Sequence, residues 1–332
     1  MERNNGRLRI GVVGLGKMGV MHACLLNTFP NVEVAALCDK SRLMRSIAKH
    51  AFPRAFVTGE LEKFGGLDLD AIYILTPIPS HYSLLQEVYN KSLAKNVFVE
   101  KTLSSDYTKS QDLIGLSEKT GGVNMVGYMK RFGVTFNHVR GLLDKQVLGD
   151  LEYFDGYAFS SDFADAPEGS TASNNRGGVS EDLGSHIVDL ALWLFGDLKV
   201  TDAKLNMQIA PTSEDDISFG VVGKDGIEGH FDVSWCRSGY RMPEFGLRIQ
   251  GAKGAIYVND DEVRLELSNS APQSWYRLDM NDNVGYFLGG AEYWRENRHF
   301  LECVASGLAP KSDFRSALKV DFLLDQVRGQ IA

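Results

Sequence analysis

Cysteine is scarce in this chain. Cys24, Cys38, Cys236 and Cys303 are scattered over 332 residues, and no two form a C-x-x-C pair. That spacing offers neither a zinc framework nor a disulfide scaffold, and it suits buried free thiols in a reducing compartment. Basic runs are missing as well, and the formal net charge is −8, so neither nucleic acid nor an anionic membrane surface is an expected partner. No apolar stretch approaches the roughly 20 residues that span a bilayer. Met1 to Arg7 are polar and pass straight into an apolar run, which is not the pattern of a signal peptide. Internal repeats and low-complexity tracts are absent. What is left is an expected cytoplasmic protein of ordinary globular composition, 44% hydrophobic and 23% charged, with length enough for two domains.

Glycine, by contrast, is abundant and placed to a purpose. Among 34 glycines, Gly14, Gly16 and Gly19 directly follow the apolar run Leu8-Arg9-Ile10-Gly11-Val12-Val13. Asp39 ends a second apolar run 20 residues beyond Gly19. A strand before, a helix after and an acid at that distance form the fingerprint of a dinucleotide-binding βα turn. Gly14 permits the tight turn, Gly16 lets the backbone approach a pyrophosphate, and Gly19 lets helix and strand pack closely. Lys17 and Met18 sit in the same turn and count with the cofactor site. The helix that starts here presents N–H groups and its positive dipole end to phosphate. Asp39 can accept hydrogen bonds from both ribose hydroxyls and would repel a 2′-phosphate, which favours NAD. Lys40 and Arg42 follow closely, and an arginine here can hold a 2′-phosphate, so NADP stays open.

Strand and helix signals alternate through the first third. Strands are expected at 32–38, 71–75, 97–99 and 123–128, and helices at about 41–50, 80–93 and 107–120. Short apolar strands separated by helices imply a doubly wound parallel sheet whose ligand crevice lies beyond the carboxyl ends of the strands. By that rule Gly14, Gly16, Asp39, Thr76, Pro77, Glu100, Lys101 and Tyr128 converge on one edge. Beyond residue 128 the rhythm changes to helix 135–143, strand 151–159, a polar stretch 160–176 and helix 181–195. Strand-like segments then dominate from 199 to about 276, and helices at about 292–306 and 313–329 close the chain. Strands grouped between helices argue an α+β domain with a large, mostly antiparallel sheet covered on one face.

Two segments carry candidate chemistry. Oxidising a secondary alcohol needs a cation beside the developing alkoxide and a base for its proton. Lys101, at a strand end beside the cofactor site, can supply the cation, with Glu100 a candidate for holding it. An exposed lysine at a strand end is otherwise a solvated surface charge. In the segment Gly177 to Asp189, Asp182 and His186 are four apart and share a helix face, with Asp189 a turn further on. His186, with a reference pKa near 6.5, is the best candidate for general base in oxidation and general acid in reduction. A histidine packed in the core is the competing reading, and a metal site built on these residues finds no further ligand spacing.

Gly14–Gly19 with Asp39, Asp70–Pro77 with His81, Val99-Glu100-Lys101, Val126–Phe132 and Gly177–Asp189 together resemble the glucose–fructose oxidoreductase / inositol dehydrogenase / rhizopine-catabolism (Gfo/Idh/MocA) family of sugar and cyclitol dehydrogenases. The resemblance runs over essentially the whole chain, Ile249–Gly254 included. It implies a Rossmann domain at 1–127 and, at 128–332, a substrate domain on an open-faced sheet that mediates a homo-oligomer, a dimer or tetramer. It implies hydride exchange between NAD(P) and a ring hydroxyl or ketone of a sugar, sugar derivative or cyclitol; the residues themselves offer no metal site. Lys101, Asp182 and His186 match the residues around the reacting carbon. Arg131, Arg176 and Tyr128 match positions near the substrate, and Thr76, Pro77 and His81 match the loop beside the nicotinamide. The family's Glu-Lys-Pro is here Glu100-Lys101-Thr102, so the rigid ring after the lysine is missing.

Two other functions are weighed against a carbohydrate dehydrogenase. Arg131 and Arg176 could pair with the diphosphate of a nucleotide sugar, or they could be structural. A non-catalytic sensor of cofactor or sugar is the alternative of another class, and such proteins tend to lose the lysine or histidine that this chain keeps. Trp235, Tyr240, Trp275, Tyr286, Tyr293 and Trp294 could stack on a pyranose, or fill the core or an interface.

Overall fold

The computed structural model describes residues 6–104, 106–167, 177–207, 214–240, 242–280, 284 and 290–331. Arg176 and Tyr286 lie outside the described residues. The chain opens with β1 (Leu8–Val13), α1 (Lys17–Leu26), β2 (Val32–Cys38), α2 (Arg42–Ala51), β3 (Phe56–Thr58) and β4 (Ala71–Ile74). It continues through α3 (His81–Asn90), β5 (Asn96–Glu100), α4 (Tyr107–Thr120), β6 (Asn124–Gly127), α5 (Val134–Asp144) and β7 (Leu151–Phe159). A π turn over Ser180–Gly184 runs directly into α6 (Ser185–Phe195). There follow β8 (Leu198–Met207), β9 (Asp216–Gly223), β10 (Glu228–Ser234), β11 (Glu244–Gly251), β12 (Gly254–Asn259), β13 (Glu262–Leu267), β14 (Gln273–Tyr276), α7 (Ala291–Ser306) and α8 (Phe314–Ile331). No helix among the described residues is long and apolar enough to cross a membrane.

The chain forms two compact units, residues 1–129 with 284–318 and residues 130–283 with 319–332. In the first, six strands pair in the order β3-β2-β1-β4-β5-β6, every pair parallel. Its central strands are buried on both faces, which is why they read as continuous apolar runs: Ile10, Val12, Ile72, Ile74, Val97 and Val99 are all fully enclosed. Helix starts are written locally. Ser41 caps α2 by accepting from Met44 N at 3.3 Å, and Asp106 caps α4 by accepting from Lys109 N at 3.0 Å. Strand order reverses between β1 and β4, so the carboxyl ends of those two strands border the crevice where such sheets take their ligands.

The second unit is built on eight strands in the order β14-β13-β12-β11-β7-β10-β9-β8. All its pairs are antiparallel except β7 with β10. Side chains alternate strictly: Phe154, Gly156 and Ala158 are buried while Tyr153, Asp155, Tyr157 and Phe159 are only partly covered. Period-two alternation with one enclosed face is what an open-faced sheet requires. On that enclosed face Phe154 stacks on Phe195 of α6 at 4.3 Å and Phe219 on Phe231 at 4.7 Å. The α/β class with a parallel Rossmann sheet and a mostly antiparallel second sheet is therefore as the sequence indicates. The short strand β3 is the strand without a sequence signal.

Candidate functional site

The glycine turn folds as its spacing demands. Gly14 adopts φ +90°, and a Cβ there would meet Leu75 O at 2.7 Å. A Cβ on Gly19 would lie 1.8 Å from Gly14 O, so helix and strand pack at a distance only glycine allows. Nothing stands within 4 Å of where a Gly16 side chain would begin, leaving that backbone open to a ligand. Lys17 is exposed and Met18 half-buried beside it. Asp39 receives Leu15 N on Oδ2 at 2.6 Å and Ser41 N on Oδ1 at 2.7 Å, which ties the end of β2 to the glycine turn. Each oxygen keeps a further lone pair for a ribose hydroxyl. Lys40 and Arg42 are exposed. Arg45, which the sequence does not flag, donates to Asp39 O at 2.7 Å and Lys40 O at 2.8 Å and shapes this corner from behind. An open glycine turn, a helix N-terminus and a carboxylate at the end of β2 fit a dinucleotide.

The loops after β4 and β5 meet on His81. The ring is fully buried, with Nδ1 2.8 Å from Thr102 O and Nε2 2.8 Å from Thr76 O. Burial pushes its pKa below the usual histidine range, opposed by the two carbonyls. Thr76 Oγ1 accepts from Ser80 Oγ at 2.7 Å, and exposed Pro77 leads into the turn before α3. Glu100 ends β5 and accepts the Lys101 main-chain N–H on Oε2 at 3.1 Å, while Oε1 lies 3.1 Å from His22 Nε2. Lys101 is half-exposed, and its peptide to Thr102 is cis. Tyr128, one residue past β6, is fully buried.

In the second unit the segment with Asp182 and His186 departs from the single α-helix that its spacing predicts. Its first turn, Ser180–Gly184, is wound as a π turn, a form frequent at functional sites. Two side chains anchor it. Glu214 accepts from both Ser180 N and Ser180 Oγ. Arg328 of α8 donates to Glu181 Oε1 at 2.9 Å and also pairs with Asp325. Asp182 is half-exposed, and His186 is buried with its ring 5.2 Å from that of Phe245. Arg131 lies in the interior, Nε 2.8 Å from Asp189 Oδ2 and Nη2 2.5 Å from Oδ1, a bidentate pair that fixes α6.

A buried cation to which the sequence assigns no role stands beside these groups of the second unit. Lys130 is 6% exposed, pairs with Asp260 Oδ1 at 2.5 Å and lies 4.6 Å above the Phe245 ring whose other neighbour is His186. Its signal, one lysine in Met129-Lys130-Arg131-Phe132, is indistinguishable from a surface charge until Asp260 folds beside it. Of the aromatics, Trp235 is fully buried with Nε1 donating to Asp215 at 2.7 Å, and Trp294 stacks on Phe29 at 5.2 Å.

Comparison with known proteins agrees with this architecture. The family model for the oxidoreductase family with an NAD-binding Rossmann fold matches residues 8–128, and that for the GFO/IDH/MocA C-terminal domain matches residues 136–257. The scyllo-inositol 2-dehydrogenase (NAD(+)) of Bacillus subtilis is 24% identical over 92% of this chain and 88% of its own length. The D-apiose dehydrogenase of Paraburkholderia graminis is 24% identical over 96% and 86%. The crystal structure of the WlbA dehydrogenase from Bordetella pertussis, in complex with NADH and UDP-GlcNAcA, superposes with a TM-score of 0.83 at 18% identity, covering 98% of this chain and 97% of that one.

Proposed function

This chain belongs to the Gfo/Idh/MocA family of NAD-binding oxidoreductases, and from that premise we propose that it interconverts a ring hydroxyl and a ketone on a sugar, sugar derivative or cyclitol. One observation carries the reading: Lys101 stands at the carboxyl end of β5, on the sheet edge that bears the glycine turn, with Glu100 gripping its main-chain amide. The bound nicotinamide supplies the hydride chemistry. Residues 1–127 hold the dinucleotide, with Gly14, Gly16, Lys17, Met18 and Gly19 at the pyrophosphate, Asp39 at the ribose and Thr76, Pro77 and His81 towards the nicotinamide. Within residues 128–332, the unit of residues 130–283 with 319–332 brings the substrate. Lys101 places its ammonium against the carbinol oxygen and stabilises the charge that builds there. His186 takes the hydroxyl proton in oxidation and returns it in reduction, and Asp182 orients the sugar beside it. Lys130 adds a second positive charge on the His186 side. Arg131, bound to Asp189, holds α6 in place.

A named cyclitol dehydrogenase and a named sugar dehydrogenase among the relatives support this substrate class. The WlbA complex makes a nucleotide sugar the second reading; two nitrogens of Arg131 are already taken by Asp189, which favours the smaller substrate. We place the protein in the cytoplasm as a homo-oligomer associated through the open sheet face, where Arg248 lies 5.6 Å from the rings of both Tyr153 and Tyr257.

The decisive experiment follows NADH absorbance with a panel of sugars, inositols and UDP-sugars. Turnover on a free sugar or cyclitol is the expected result. Turnover on UDP-sugars alone would select the second reading, and tight cofactor binding without turnover on any compound would select a sensor. On the substrate so found, His186→Ala lowers kcat about 10²-fold with NADH affinity within about twofold; equal loss of cofactor binding would remove His186 from the acid–base role. Asp39→Ala weakens NAD about tenfold and NADP less, read as the ratio of the two Kd values, since two ribose hydrogen bonds disappear along with a charge that repels phosphate. An unchanged ratio would take Asp39 out of the ribose site.

A further inference from the structure

The His22 ring is fully buried in the first unit and stands between two acceptors. Nε2 lies 3.1 Å from Glu100 Oε1, and Nδ1 lies 3.1 Å from Asn297 Oδ1. The amide of Asn297 cannot be turned to offer a donor instead, because its Nδ2 already donates to Tyr293 O at 2.7 Å. A neutral imidazole has one N–H and one bare lone pair. A ring with acceptors at both nitrogens donates to both only when it carries a hydrogen on each. His81 also faces two acceptors, but both are uncharged carbonyls and burial works against charge there. At His22 one acceptor is a carboxylate, which offsets the charge of the ring. Otherwise the ring's surroundings are mostly aromatic: Phe98 at 5.3 Å, Tyr293 edge-on at 5.9 Å and Tyr73 at 6.0 Å, with the buried Glu296 acting on Tyr73 from α7.

We propose that His22 and Asn297 are positioning residues for Lys101, with the His22 ring donating from both nitrogens and clamped between Glu100 and Asn297. Glu100 is then fixed at both oxygens, one by the ring and one by the Lys101 amide, and the point from which the lysine projects is set by α1 and α7 from behind the sheet. This rests on the reading of Lys101 as the cation at the reacting edge. It gives Glu100 a task that its place next to a lysine hides, since the carboxylate faces inward and holds the main chain. Geometry near a reacting centre is worth much: about 1 Å of misplacement can cost about 10²-fold in rate.

The test labels histidine nitrogens in the full-length protein and reads ring protonation by NMR without substrate. One ring is expected to carry a hydrogen on both nitrogens. Glu100→Gln, whose amide donates to Nε2 in place of receiving from it, converts that same ring to one protonated nitrogen and so identifies it. A wild-type protein in which no ring changes in this way overturns the proposal. His22→Leu shifts the Lys101 amide resonance, lowers kcat about tenfold and leaves the KM for cofactor within about twofold, and His22→Gln, which can still donate to Glu100, recovers part of the loss. An unmoved amide or an unchanged kcat in His22→Leu also overturns it. Absence of turnover on every substrate, with the resonances as expected, would count against the hydride-transfer reading and leave the clamp standing.

Discussion

Replacing Lys101 by methionine is expected to lower kcat about 10³-fold while NADH binds within about twofold of the native protein. Methionine keeps most of the length and apolar stem and removes only the charge, so the loss reports the electrostatic part. A preorganised donor aimed at a developing oxyanion is worth about 10²–10³ in rate, or about 4 kcal/mol at the upper end. The scaffold that presents Lys101 survives the substitution. Glu100 still accepts its main-chain N–H, and the loop is still tied to Thr76 through His81. Arginine at the same position keeps the charge but spreads it over a wider planar fork, and it restores little. Steady-state rates and NADH fluorescence titration check this together. A tenfold or greater fall in NADH affinity, with kcat preserved, would move Lys101 from the reacting oxygen to the cofactor's binding surface.

Much of the fold is legible in the chain because its periods are local. Buried parallel strands such as Ala71–Ile74 and Asn96–Glu100 read as short apolar runs, and Leu151–Phe159 alternates residue by residue because one face is covered and the other open. The glycine turn is legible for a stronger reason. Each glycine answers a separate demand, a left-handed backbone at Gly14 and a close approach at Gly19, and no other residue meets both. Three-residue strands such as Phe56–Thr58 carry too little pattern to stand out.

What is not legible comes from partners distant in sequence. His22 precedes Asn297 by 275 residues, and the contact exists only because α7 returns to the first unit after the second has been built. The π turn at Ser180–Gly184 is likewise invisible to a helical period. Its anchors are Glu214 and Arg328, the latter 147 residues from the Glu181 it holds. Lys130 and Asp260 lie 130 residues apart, so neither looks like half of a buried pair. Arg131 shows the opposite case: it is conspicuous in the sequence as a substrate-side cation, and its bidentate carboxylate is visible only in three dimensions.

Removing that guanidinium, by Arg131→Met, is expected to destabilise the second unit by about 3–5 kcal/mol near neutral pH, the usual effect of stripping one partner from a buried ion pair. Asp189 is fully enclosed; burial pushes its carboxyl above the ordinary aspartate range and Arg131 pulls it back down. Without Arg131 the first influence acts alone, and the folded-state pKa rises further. A carboxyl whose pKa is higher folded than unfolded binds more protons in the folded state between those two values, so folding gains as pH falls towards the unfolded value near 3.9. The deficit of the variant relative to the native protein is therefore largest at pH 7–8 and shrinks as the solution is acidified to pH 5. Urea unfolding at both pH values measures it. Arg131→Met combined with Asp189→Leu removes the stranded charge and recovers most of the loss at every pH. A deficit that does not change with pH would mean that Arg131 contributes packing alone and that Asp189 finds another counter-ion.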